Sequence, residues 1–345
     1  MGARIREIAE IAGVSQATVS LVLNDKEGVG SQTRKRVKEI LKEQEYRLDR
    51  IRTRKARMET ICIIRFMHPS SPIEDQSFIL SLIENFYDVC YRHKIKPFVM
   101  MCNKKNYREV LANAIAKKDD GIVVVGMEMD QEQADYIGRL DFCGIPVVVL
   151  GSGMQDTDIS SVNLANCEES YMAVKYLYEN GFRAIGYLHS SIAEWGFAQR
   201  AIGFDRAISD LGMECVLKLQ IESNISGAYR DMKEWLKKGL SMPRAFFADN
   251  DNTALGAMNA LEEAGYRVPE DISLIGMDDI VYSAFSSCPL TTIHISRAQL
   301  AKAAMDSLMN GLPENAVRIF CRGRLVIRES TRKFDAEKEE KLIRK

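Results

Sequence analysis

Between residues 60 and 334, short runs of β-branched and aliphatic residues alternate with stretches of helical periodicity, and this alternation narrows the fold more than any other feature. Strands are predicted over Thr60–Phe66, Pro97–Cys102, Gly121–Val125, Pro146–Leu150, Ala184–Leu188, Val216–Ile221, Arg244–Ala248 and Ile272–Ile275. Helical patterns fill the gaps. Glu168–Asn180 stops at Gly181 and Asp251–Ala264 stops at Gly265, where a helix end favours a residue that accepts positive φ. Repeated β–α–β units make parallel strands, and parallel sheets need helices on both faces. About 275 residues are too many for one such sheet, so two lobes are expected. Ligands of these folds sit beyond the carboxyl ends of the strands and between lobes.

The first sixty residues have a different character. They hold 14 Lys/Arg against 9 Asp/Glu, while the remainder holds 33 against 39. A basic head on an acidic body points to an anionic partner at one end only. Ile5, Ile8, Ala9 and Ala12 form one apolar stripe at helical spacing. Gly13 breaks it, and Ser15 is placed to cap a second helix running roughly from Gln16 to Leu23. Ser31 is a further N-cap candidate, before a helix with Val37, Ile40 and Leu41 inside. Spacing alone is compatible with a plain three-helix bundle. It is equally compatible with a helix-turn-helix unit whose second helix enters the major groove of DNA. In the latter, Gln16 suits adenine, while Ala17 and Leu21 suit thymine methyl groups. Thr18, Ser20, Ser31, Thr33 and Arg34 suit phosphates, and Ser15 and Asn24 complete the expected DNA-binding set.

The segment Ile8-Ala9-x-x-Ala12-Gly13-Val14-Ser15-x-x-Thr18-Val19-Ser20-x-Val22-Leu23-Asn24 resembles the headpiece of the lactose-repressor-type (LacI/GalR) family of bacterial transcriptional regulators. So does Val29-x-x-x-Thr33-Arg34-x-Arg36-Val37, running on to Tyr46-Arg47. The resemblance implies a headpiece over residues 1–47, a hinge over 48–59, an effector-binding and dimerisation body over 60–334 and a charged tail over 335–345. The hinge departs from the family pattern. Leu48 stands where a proline is usual and Lys55 where a leucine wedges into the minor groove, and five of residues 48–58 are basic. Arg50, Arg52 and Lys55 are therefore expected to act on phosphates.

In the body, Arg200-x-x-Gly203-Phe204, Asn250-Asp251-x-x-Ala254-Leu255-Gly256-Ala257 and Val268-Pro269-Glu270-Asp271-Ile272-Ser273-Leu274-Ile275-Gly276-x-Asp278-Asp279 are similar to the effector domain of that family. That domain shares its fold with periplasmic sugar-binding proteins. The resemblance implies that Arg200, Asp251, Asp279 and Phe78 hold an effector, a sugar or related metabolite; Trp195 and Phe197, just before Arg200, could supply a further stacking face. On spacing alone, Arg200 could form a surface salt bridge and Asp251 could cap its helix; in a cavity, Arg200 could donate to a polyol or clamp a carboxylate or phosphate. Met277 and Leu164-Ala165-Asn166 depart from the family pattern.

Eight cysteines without a C-x-x-C pair read as reduced apolar side chains, and four scattered histidines offer no metal site. No cofactor is expected. No nucleophile-elbow, Walker or H-E-x-x-H motif is present, so a hydrolase or kinase would leave residues 1–60 without a role. The same pattern of strands and helices would also suit a regulator whose body answers to a partner protein, or a periplasmic-type sugar-binding protein. The charged N-terminus and the lack of a long apolar run favour the cytoplasm. The combined expectation is a homodimeric repressor whose grip on a near-palindromic operator is set by a small molecule.

Overall fold

The computed structural model describes residues 8–23, 28–40, 58–68, 76–154, 157–310 and 316–334, with the backbone alone at Ala17, Ser20 and Leu23. The chain divides into two compact units, residues 1–58 and 59–345. Asn24, Arg50, Arg52, Lys55, most of the hinge and the tail lie outside the described residues.

In the first unit, α1 (residues 8–12), α2 (Gln16–Leu23) and α3 (residues 31–40) enclose Ile8, Ala9, Ala12, Val19, Val22 and Val37. Gly13 takes φ +61°, the left-handed conformation that ends α1 cheaply only without a Cβ. Ser15 caps α2, its Oγ accepting from the Thr18 backbone N–H at 3.1 Å. Ser31 does not cap α3. It lies in the first turn, and the Gly30 carbonyl accepts the first helical bond from Arg34.

The second unit has two parallel sheets. The first lobe orders its strands β11-β5-β4-β3-β1-β2. These are β1 (Thr60–Phe66), β2 (Lys96–Cys102), β3 (Gly121–Val125), β4 (Val147–Leu150), β5 (Ser160–Leu164) and β11 (Arg318–Cys321). The helices of this lobe are α4 (Ser77–His93), α5 (Tyr107–Lys117), α6 (Gln131–Arg139) and α12 (Arg297–Met309). The second lobe orders its strands β7-β6-β8-β9. They are β6 (Ala184–Ser190), β7 (Glu214–Ile221), β8 (Ala245–Ala248) and β9 (Ser273–Ile275). Its helices are α7 (Asn166–Glu179), α8 (Trp195–Leu211), α9 (Ile225–Lys237), α10 (Asp251–Glu263) and α11 (Val281–Phe285). Gly181 and Gly265 follow α7 and α10 at φ +97° and +92°.

Strand β5, Ser-Ser-Val-Asn-Leu, reads as a loop by composition but is wholly buried. Asn163 Nδ2 donates to Ser161 Oγ at 3.0 Å, and Ser160 Oγ accepts from the Val317 backbone N–H at 3.1 Å. The antiparallel pair β10 (Thr292–His294) and β12 (Arg324–Val326) flanks the return crossings between lobes. At one of them Glu169, fully buried on α7, accepts from the Gly323 backbone N–H at 2.6 Å. A Cβ at Gly323 would stand 2.7 Å from the His294 carbonyl oxygen, so the strap passes only as glycine. Cys62, Cys90, Cys102 and Cys288 are buried as expected of apolar thiols, whereas Cys143 is exposed.

Candidate effector cleft and DNA-reading headpiece

A cavity of about 130 Å³ lies between the two lobes of the second unit, at the carboxyl ends of their strands. The first lobe contributes Gln76, Phe78 and Ile79 at the start of α4, Met127 and Glu128 after β3, and Gly151 after β4. From the second come Asn166, Glu194, Phe197, Arg200, Asn250 and Asp278, among others. Loops after β1, β3 and β4 in one lobe and β6, β8 and β9 in the other meet here, so residues distant in sequence converge.

Arg200 is the centre of the second-lobe wall and only 6% exposed. Its Nε donates to Asn166 Oδ1 at 2.9 Å, its Nη1 to the Asp249 carbonyl and its Nη2 to Asp278 Oδ1 at 2.9 Å. Burial works to lower the guanidinium pKa, but the Asp278, Asp249 and Glu169 carboxylates outweigh it, and the net shift is upward. This is a buried, paired cation that organises three loops. It is neither the surface salt bridge nor an open anion clamp.

Asp251 is not at the cavity wall. It is fully buried and accepts from the Ile280 backbone N–H at 3.0 Å, Ser283 Oγ at 2.6 Å and Thr292 Oγ1 at 2.5 Å. Burial and the Asp278 charge push its carboxyl up to about 7. Its work is to pin the 278–283 loop against α10. The cavity is reached instead by its neighbours. Asn250 caps α10 through Thr253 N–H at 2.8 Å, and its Nδ2 donates to the Ser223 carbonyl at 3.1 Å.

Asp279 is also turned aside. It meets His294 Nδ1 at 2.7 Å and Arg328 Nη2 at 2.6 Å, while Asp278 takes the position against Arg200. Both aspartates have positive φ, +107° and +51°, a local strain that the surrounding bonds must hold. Phe78 lines the cavity, packs against the second lobe's core and carries the Arg297 guanidinium 4.7 Å from its ring centre. Trp195 is absent from the lining. Its indole abuts Gly153, where a Cβ would lie 2.4 Å from Nε1. Phe197, two residues on, supplies the aromatic surface. Glu194 and Glu128 carry no motif that points to the cleft, although Glu194 adjoins the Trp195–Arg200 stretch.

In the first unit, Ser15, Gln16 and Ser31 are exposed and Thr18, Leu21, Thr33 and Arg34 half-buried. Gln16 opens α2, and the helix turns Val19 and Val22 to the core.

Residues 4–49 match the family described as "Bacterial regulatory proteins, lacI family", and residues 174–331 match "Periplasmic binding protein-like domain". The HTH-type transcriptional repressor PurR of Pasteurella multocida (strain Pm70) is 33% identical over 342 residues, spanning 96% of this chain and 99% of that protein. PurR of Mannheimia succiniciproducens is 30% identical over the same shares. The chain belongs to the LacI family. Its fold is also that of the lac repressor dimer bound to operator and the anti-inducer ONPF, with TM-score 0.69 at 24% identity over 94% of this chain and 98% of that one. As a LacI-family member it is a DNA-binding transcriptional regulator with an effector-binding body, not an enzyme. No described helix is long and apolar enough to cross a membrane.

Proposed function

We propose that this LacI-family chain is a cytoplasmic homodimeric repressor that reads a near-palindromic operator with α2 and answers to a polar small molecule in the interlobe cleft. The observation that carries the effector half is Arg200. Three of its five N–H donors are held by Asn166, Asp249 and Asp278, and its charge is paired with the Asp278 carboxylate, so the ligand meets a wall dominated by amides, a hydroxyl and carboxylates. Such a wall accepts hydrogen bonds, and Phe78 and Phe197 offer ring faces. A sugar or another ring rich in N–H or O–H donors fits this chemistry, and a phosphate or carboxylate does not.

Ser15, Gln16, Ala17, Thr18, Ser20 and Leu21 read the operator, with Ser31, Thr33 and Arg34 on phosphates. Asn24, just past α2, joins that contact, and Arg50, Arg52 and Lys55 extend it along the hinge. Dimerisation uses exposed apolar side chains on both lobes: Leu80, Tyr87 and Tyr91 on one side of α4, and Val281, Tyr282 and Phe285 on α11. Two headpieces then meet two half-sites related by the same twofold axis.

Two measurements test the reading. Operator selection from a random library should change when Ala17 and Leu21 are both made polar; unchanged selection removes the α2 assignment. A thermal-shift screen of metabolites on the whole chain should find a ligand whose stabilisation disappears in Phe78→Ala; a ligand indifferent to that substitution binds elsewhere.

A further inference from the structure

The charges around the cavity do not balance. Glu128 reaches it from the first lobe, and Glu194 and Asp278 from the second. Asp278 is answered by Arg200 at 2.9 Å, with Arg297 adding a second positive field. Glu128 accepts from the His68 backbone N–H at 2.9 Å and lies in the field of Arg65. Glu194 has no comparable support. It stands at the N-cap of α8, yet its carboxylate accepts no capping hydrogen bond. Among the described residues no lysine or arginine forms an ion pair with it, and the Arg200 charge that reaches it is already engaged by three acceptors. Burial, with the Glu128 charge on the opposite lobe adding to it, pushes the Glu194 carboxyl up to about 8.

Resting on the assignment of this cleft as the effector site, we infer that the effector carries a protonated amine seated between Glu194 of one lobe and Glu128 of the other. An ammonium offers three donors and no acceptor, the complement of two carboxylates. It also has a reason to prefer one lobe arrangement. Without it, closing the cleft sets the Glu194 carboxyl, which burial holds protonated, against Glu128 with no cation between them; with it, both carboxylates are held charged and the same closure is attractive. That difference between states is what a ligand needs in order to shift a conformational equilibrium. An effector carrying only hydroxyls gains far less from closure against carboxylates, and an anion is opposed by all three.

The test uses matched pairs that differ only in amine against hydroxyl: glucosamine and glucose, galactosamine and galactose, putrescine and 1,4-butanediol, tyramine and 4-(2-hydroxyethyl)phenol. Titration calorimetry on the full chain should find an amine that binds at least tenfold more tightly than its partner, and Glu194→Gln should close that gap. The inference is overturned if no amine binds, if hydroxyl partners bind as tightly, or if Glu194→Gln leaves the gap open. Phe78→Ala separates the two levels. If it weakens a neutral ligand that Glu194→Gln ignores, the cleft stands and the amine falls. If it weakens nothing that binds, the cleft assignment falls as well.

Discussion

The two units of this chain are held together by different means. The headpiece packs Ile8, Ala9, Ala12, Val19, Val22 and Val37, small side chains tied by a glycine turn and one serine cap. The body buries Phe66, Phe86, Phe182, Tyr187, Phe204, Phe246 and Phe247 completely and adds a polar knot around Arg200 and Asp251. A domain of headpiece size buries little surface per residue and is marginal on its own, which suits a part that docks onto DNA. In the body, by contrast, removing one polar group leaves several others unpaired.

The sharpest break of this contrast is Arg200→Ala. It strands the Asp278 carboxylate, Asn166 and the Asp249 carbonyl in a buried setting, and a cost of about 4 kcal/mol is expected. Calorimetric melting should show a large loss in the body transition and no effector response. Next is Ile8→Ala, which empties part of a small core at about 3 kcal/mol. Operator binding should fail in gel-shift assays while effector affinity persists.

A third effect is pH dependence of the body. Asp251 rises from 3.8 to about 7 and Glu169 from 4.5 to about 7, each chiefly through burial. A carboxyl raised by folding holds its proton more tightly in the folded body than in the unfolded chain. Its stabilisation is therefore complete below about pH 4 and is lost as pH rises to about 7. The body should melt at lower temperature at pH 7.5 than at pH 5.5, and Glu169→Gln should flatten that slope. The smallest effect is Ser15→Ala, which removes the α2 cap at about 1 kcal/mol. It should weaken operator binding modestly and leave the body's melting unchanged.

The same contrast decides how much can be read from the residues. The headpiece depends on neighbours in sequence: the stripe ending at Gly13, and Ser15 three residues before the N–H it caps. Such signals are visible in a single chain, although Ser31 shows that a capping residue type can sit inside its helix instead. The body's strands are legible where they are β-branched. Strand β5 is not, because Ser161 and Asn163 are buried only through contacts that sequence does not display. At the cleft, resemblance finds Arg200 and Phe78 but does not separate Asp251 and Asp279 from Asn250 and Asp278. One step along the chain decides which side chain meets the cavity. That step is set by Ser283, Thr292 and His294, which lie up to 41 residues away from the groups they hold. The carboxylates of Glu194 and Glu128 carry no local signal, since their significance is the cleft that brings two lobes together.

The central claim is that one ligand site in the body and one DNA site in the headpiece are energetically coupled. It is tested most directly by measuring operator affinity by fluorescence anisotropy with and without a saturating cleft ligand, and ligand affinity with and without operator. The account predicts that both change by the same factor, as linkage requires. A ligand that binds in the cleft, is lost in Phe78→Ala, and leaves operator affinity unchanged would contradict it.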